Sequence, residues 1–205
     1  MLRYVLPFLA YVLISPFLNL FFKDIYLNYT SKTLITGLLL LYYFKQYKEI
    51  KFKFDFLAVV LGVVIFIVWV GLEGMYPALG SSLFNPYNAA SSLVVPVLLI
   101  KLIGAILVAP LAEELFTRSF LIRFFIEPNK WEKIKIGKYT LFSFIVTVLF
   151  FGFSHNRWLP GIITGIFLNL LLYKRKQISS CIIAHGVANL CLAVYVLATG
   201  NWGFW

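Results

Sequence analysis

The stretch Ser92–Arg118, SLVVPVLLIKLIGAILVAPLAEELFTR, runs through 21 residues with one charge, Lys101, before it reaches two carboxylates and an arginine. A mostly apolar run of about that length is long enough for a helix to cross a bilayer. Its charged end, Glu113-Glu114-x-x-x-Arg118, has two readings. It is the point where the helix leaves lipid, or it is chemistry held within the membrane.

The composition around this stretch favours a membrane setting. Of 205 residues, 61% are apolar and 19% aromatic, well beyond the balance of a soluble domain. Only 8 acidic residues face 18 lysines and arginines, a net charge of +10. The cations fall between apolar runs, where they set topology and contact anionic lipid, so the charge does not imply nucleic-acid binding. Cys181 and Cys191 share one run. Ten helical steps put them about 80° apart and roughly 15 Å along the axis, too far to pair. The first run, Leu2–Phe22, is too long for a signal-peptide core and lacks a clear small-residue cleavage site, so it reads as a retained span.

Apolar runs fall at about 2–22, 33–44, 56–72, 92–112, 139–155, 158–173 and 178–199. The second and sixth are short for a span and borrow flanking aromatics. Lys45, Lys48, Lys51 and Lys53 follow the second run; Lys130, Lys133, Lys135 and Lys138 precede the fifth; Lys174, Arg175 and Lys176 follow the sixth. The 73–91 loop and the C-terminal tail carry no Lys or Arg. Alternation then places all three basic loops and the N-terminus on the cytoplasmic side. The expectation is an all-α polytopic transmembrane bundle of about seven to eight spans around a buried polar cavity. Residues 1–205 form one integral-membrane domain in the cell (inner) membrane, with the chemistry at about 103–199. Neither an internal repeat nor a linker divides it, and the aromatic tail NWGFW reads as an interface anchor.

Ionisable groups within apolar spans are costly and therefore informative. Three clusters stand out: the Glu113–Arg118 segment, FGFSH (Phe151–His155) and HGVAN (His185–Asn189). Glu114 and Arg118 are four apart and share a helix face, so they pair. Glu113 lies about 100° round from Glu114, outside that pair, and a carboxylate without its own cation suits general acid–base work. Phe151 stands one turn before His155, as a wall beside the imidazole. His185 and Asn189 share a face and offer two N–H donors to an anion or oxyanion. Each feature has a plain structural reading too: a solvated charge pair at a helix end, or histidines and Asn169 in interhelical hydrogen bonds.

Taken together, the clusters suit hydrolysis by activated water. Glu113 takes the proton, His155 orients the water, and His185 with Asn189 stabilises the oxyanion. The same Glu113, His155 and His185 would also serve as a zinc set with one open position. No His-Glu-x-x-His or Gly-x-Ser-x-Gly pattern is present, so zincin and serine chemistry find no support.

Glu-Glu-x-x-x-Arg, Phe-x-x-x-His and His-x-x-x-Asn, in this order over residues 113–189, resemble the motifs of the CAAX protease and bacteriocin-processing (CPBP, or Abi) family of intramembrane proteases. The resemblance implies a polytopic helical endopeptidase of glutamate type, working without a metal cofactor on a protein or peptide substrate in the bilayer. It implies Glu113 as catalytic glutamate, His155 as its partner, His185 and Asn189 as oxyanion hole, and Glu114 with Arg118 as support. The segments KWEKIKIGKYT, FGFSHNRWLPGI and LATGNWGFW resemble a bacterial CAAX prenyl protease-related subgroup found with exosortase sorting systems.

Strict alternation of spans would put Glu113 and His155 at opposite ends of neighbouring helices. Pro96 and Pro110 suggest instead a separate or kinked 92–101 segment and a span over about 103–124, with Glu113 at mid-depth. Two other functions remain at this point: a non-catalytic scaffold or immunity protein of the same fold, and an ion or proton carrier, for which no inverted repeat speaks.

Overall fold

Polar residues decide where the helices begin, and the computed structural model, which describes residues 1–51, 53–80 and 84–205, places them at the ends. Seven helical runs carry the described chain: α1 (Leu2–Asn19), α2 (Ile25–Tyr43), α3 (Phe56–Gly71), α4 (Ser91–Ile126), α5 (Leu141–Phe153), α6 (Trp158–Arg175) and α7 (Ile178–Thr199). No strand occurs among the described residues. Asp24 caps α2 by accepting from the Tyr26 and Leu27 amides, and Asp55 caps α3 in the same way. Lys176 (φ 54°) and Gly200 (φ 68°) turn left-handed to stop α6 and α7.

Three runs, α1, α4 and α7, are long and apolar enough to cross a membrane, while α3 and α5 are apolar but shorter. Their outward faces are apolar: Leu13 and Phe17, Leu38 and Leu41, Leu99 and Leu107, and Val194 are exposed. The interior holds Thr33, Thr36, Glu114, Arg118, Thr147, Thr164 and Asn169, all buried. Apolar outside and polar inside is the arrangement a lipid solvent selects, because an unpaired polar group is most costly against hydrocarbon. The protein is a helical membrane protein. Gly62 lets α3 close on α7: a Cβ there would stand 2.5 Å from the Ala184 carbonyl oxygen.

Two expectations about helix extents are corrected. The second helix starts at Ile25 rather than near 33, because Asn28, Thr33 and Thr36 face inward instead of ending the helix. Residues 92–101 are not a separate segment; α4 runs unbroken for 36 residues, roughly 54 Å at 1.5 Å per residue. Pro96 falls near its start, and wider π-helical turns at Gly104–Val108 and Leu115–Leu121 bracket Ala109–Glu114, which holds Pro110.

This continuity removes the depth conflict. Beyond Glu113, α4 continues to Ile126, and α5 returns alongside its end for 13 residues before reaching His155. Each leg is roughly 20 Å, so the two side chains come level. His155 itself lies in the turn after α5, not within a helix.

Candidate active site

One helical step, about 100°, separates the surroundings of the adjacent glutamates. Glu113 faces a cavity of about 510 Å³, also lined by His155, His185 and Asn189. Its Oε2 is buried without a hydrogen-bond partner and stands 3.8 Å from His155 Nε2. His155 is oriented from behind. Its Nδ1 lies 2.7 Å from the Phe151 carbonyl oxygen, which can only accept, so Nδ1 carries the hydrogen. In the neutral ring, Nε2 is then an acceptor as well. Two acceptors therefore face one gap, and a water molecule can donate a hydrogen to each while its lone pairs stay exposed. Phe151 and Trp69 flank the imidazole at centroid distances of 4.8 and 5.6 Å.

Glu114 points the other way, fully buried and outside the cavity wall. Its Oε1 accepts from Arg118 Nη1 at 3.1 Å and is 2.9 Å from His185 Nδ1. Arg118, also fully buried, donates from Nε to Asn169 Oδ1, and Asn169 Nδ2 donates to Thr147 Oγ1. Asn169 thus ties α4, α6 and α5 together. The guanidinium lies 4.2 Å over the Phe151 ring, which meets His185 edge-on at 5.8 Å. Phe151 therefore touches both histidines and the arginine, whereas its sequence spacing pointed only to His155.

The Glu114–His185 contact spans 71 positions and has no local sequence signal. It has a chemical consequence. With Nδ1–H donated to Glu114, His185 presents Nε2 to the cavity, and that atom donates a hydrogen bond only when the ring is an imidazolium.

Asn189 is positioned by a gap in α4. In the π-helical turn the Ala109 amide bonds five residues back, to Gly104. The next residue, Pro110, has no N–H to continue the pattern to Ala105. Asn189 Nδ2 supplies the missing donor, 2.7 Å from the Ala105 oxygen. One hydrogen of that amide remains for the cavity.

The zinc set fares differently. Among the described residues no three His, Cys, Asp or Glu side chains gather as a metal site, and the His185 Nδ1 faces Glu114. Both cysteines are free, with Cys181 buried against the Leu168 carbonyl.

Residues 93–191, nearly half the chain, match the family model described as type II CAAX prenyl endopeptidase Rce1-like. Comparison with curated proteins and with solved structures gives no match.

Proposed function

The chain belongs to the Rce1-like type II CAAX prenyl endopeptidase family, and so to the CAAX protease and bacteriocin-processing family, and on that premise we propose that it hydrolyses a peptide bond with water held between Glu113 and His155. The observation that carries this reading is the pair of acceptors, Glu113 Oε2 and His155 Nε2, 3.8 Å apart in the cavity wall. A water donating to both attacks the substrate carbonyl carbon as Glu113 takes one of its protons. The resulting oxyanion is met by the free N–H of Asn189 and by His185 in its imidazolium form, held by Glu114. Collapse breaks the C–N bond as Glu113 returns its proton to the leaving nitrogen. The products are a new carboxyl group and an amine, and the enzyme is restored.

General-base assistance of this kind contributes about 10²- to 10⁴-fold, and a single oxyanion donor about 10²- to 10³-fold. Glu114 and Arg118 act as positioning residues, since neither reaches the cavity. The basic connectors at 45–53, 130–138 and 174–176 are assigned to the cytoplasmic side by the bias of Lys and Arg toward that face.

The experiment is cleavage of a peptide pool by the full chain in proteoliposomes, read by mass spectrometry, for wild type and Glu113→Gln. The expected result is cleavage by wild type with a loss of at least about 10²-fold in the variant. Cleavage at an undiminished rate by Glu113→Gln overturns the mechanism. A folded wild type that cleaves nothing supports the scaffold function instead.

A further inference from the structure

Glu113, His185 and Asn189 are carried by α4 and α7, but His155 lies in the turn between the end of α5 at Phe153 and the start of α6 at Trp158. A turn does not hold a side chain as a helix does, because fewer backbone hydrogen bonds fix it. An imidazole that must share one water with Glu113 across 3.8 Å therefore needs its backbone fixed from outside the turn.

Arg157, two residues beyond His155, makes that connection. Its Nε and Nη2 donate to Glu73 Oε2 and Oε1 at 2.7 and 2.6 Å, and its Nη1 donates to the Gly203 carbonyl oxygen at 2.9 Å. The guanidinium also lies 4.4 Å over the Phe204 ring. One planar group thus joins the His155 turn to the segment after α3 and to the tail after α7. Two further bonds hold the same turn: the Leu79 amide donates to the Asn156 carbonyl at 2.8 Å, and Trp158 Nε1 donates to the Pro77 carbonyl at 3.0 Å. Glu73 lies four residues beyond Trp69, whose ring flanks the imidazole at 5.6 Å, so the clamp sets His155 and its neighbour together. The Glu73 side chain is 41% exposed, and an ion pair with a partner in water adds little to stability. What a two-bonded fork adds is direction, since it fixes distance and plane at once.

We propose that Arg157 is a positioning residue for His155: gripped by Glu73 and by the tail, it fixes the turn so that the imidazole Nε2 faces Glu113; this rests on the protease reading above. Without the clamp the turn moves, while Glu113, His185 and Asn189 stay where their helices hold them. A misplacement of about 1 Å costs about 10²-fold in rate, so Arg157→Met should lower kcat by about 10- to 100-fold. The loss stays within that of His155→Gln, because it acts through His155. Arg157→Lys keeps the charge but not the fork, and its loss falls between wild type and Arg157→Met.

The test uses the full chain in phosphatidylcholine nanodiscs with its histidines isotope-labelled on the ring nitrogens. The sequence has two histidines, so His185 serves as an internal control. At about pH 8.5, above the ordinary histidine pKa, nitrogen chemical shifts report which ring nitrogen carries the hydrogen. His155 is expected as a single Nδ1–H tautomer in wild type and as an average of two in Arg157→Met, with His185 unchanged. His155 signals that stay at their wild-type positions, or equal changes at both histidines, overturn the positioning role. Peptide cleavage gives the second readout. Arg157→Met should lower kcat in the wild-type background and leave it unchanged in the His155→Gln background; an equal loss in both overturns the proposal. Should Arg157→Met not fold, Arg157→Lys carries both readouts. The two proposals fail separately. Glu113-dependent cleavage with His155 signals indifferent to Arg157 defeats the positioning role alone. Arg157-dependent His155 signals in a wild type that cleaves nothing defeat the hydrolytic reading alone.

Discussion

Replacing Arg118 by methionine removes the cation from a site with no solvent to compensate. Arg118 and Glu114 are both fully buried and meet at 3.1 Å. The substitution leaves the Glu114 carboxylate with His185 alone, leaves Asn169 Oδ1 without its donor, and takes the guanidinium off the Phe151 ring. Stranding one partner of a buried pair costs about 3–5 kcal/mol, which is about 10²- to 4 × 10³-fold in the unfolding equilibrium. Reversible unfolding in mixed detergent micelles, followed by circular dichroism, measures that loss. The partner variant Glu114→Gln/Arg118→Met removes both charges and keeps an acceptor for His185 Nδ1. It should recover most of the stability, giving a coupling energy of more than about 1 kcal/mol between the two positions. A single-variant loss below about 1 kcal/mol, the range of a surface pair, would refute the claim that this network is sealed from water.

Gly62→Ala should destabilise the α3–α7 contact by about 1–3 kcal/mol in the same assay, because its Cβ meets the Ala184 carbonyl; Gly71→Ala, with nothing within 4 Å, should cost nothing. Asn189→Leu removes both the donor to Ala105 and the free N–H, so the cleavage rate should fall about 10²- to 10³-fold in kcat with a smaller change in KM. Asp55, at the start of α3, titrates below the usual carboxylate range: burial pushes it up, but hydrogen bonds from Ser180 and Arg175 more than offset that. A lowered carboxyl pKa contributes stability above the ordinary value and loses it as pH falls through the folded value. The stability advantage of wild type over Asp55→Asn should therefore be level from neutral pH down to about 4 and vanish below it.

Helix type and number were legible because apolar runs broken by lysine clusters carry the membrane pattern directly. Helix extents were less so. A polar residue that faces a cavity looks in sequence like one that ends a span. Asn28 and Lys32 hid the first half of α2, and in α4 the prolines Pro96 and Pro110 suggested a break between 92–101 and the span over about 103–124. The turn between adjacent glutamates followed from helical geometry alone. Their partners across the bundle did not, since Glu114 with His185 is a tertiary pairing and Asn189 with Ala105 depends on a proline removing a donor. Lys101 stood out as the one charge of its run, but the Tyr29 ring that its ammonium group meets comes from another helix.

The most direct test of the account is a kinetic double-mutant cycle at Glu113 and His155, measured as peptide cleavage by the full chain in proteoliposomes. If both side chains act on one water, Glu113→Gln and His155→Gln each lower kcat by at least about 10²-fold, and the double variant is no slower than the worse single one. Losses that multiply in the double variant, or a Glu113→Gln enzyme that still cleaves at the wild-type rate, would contradict it.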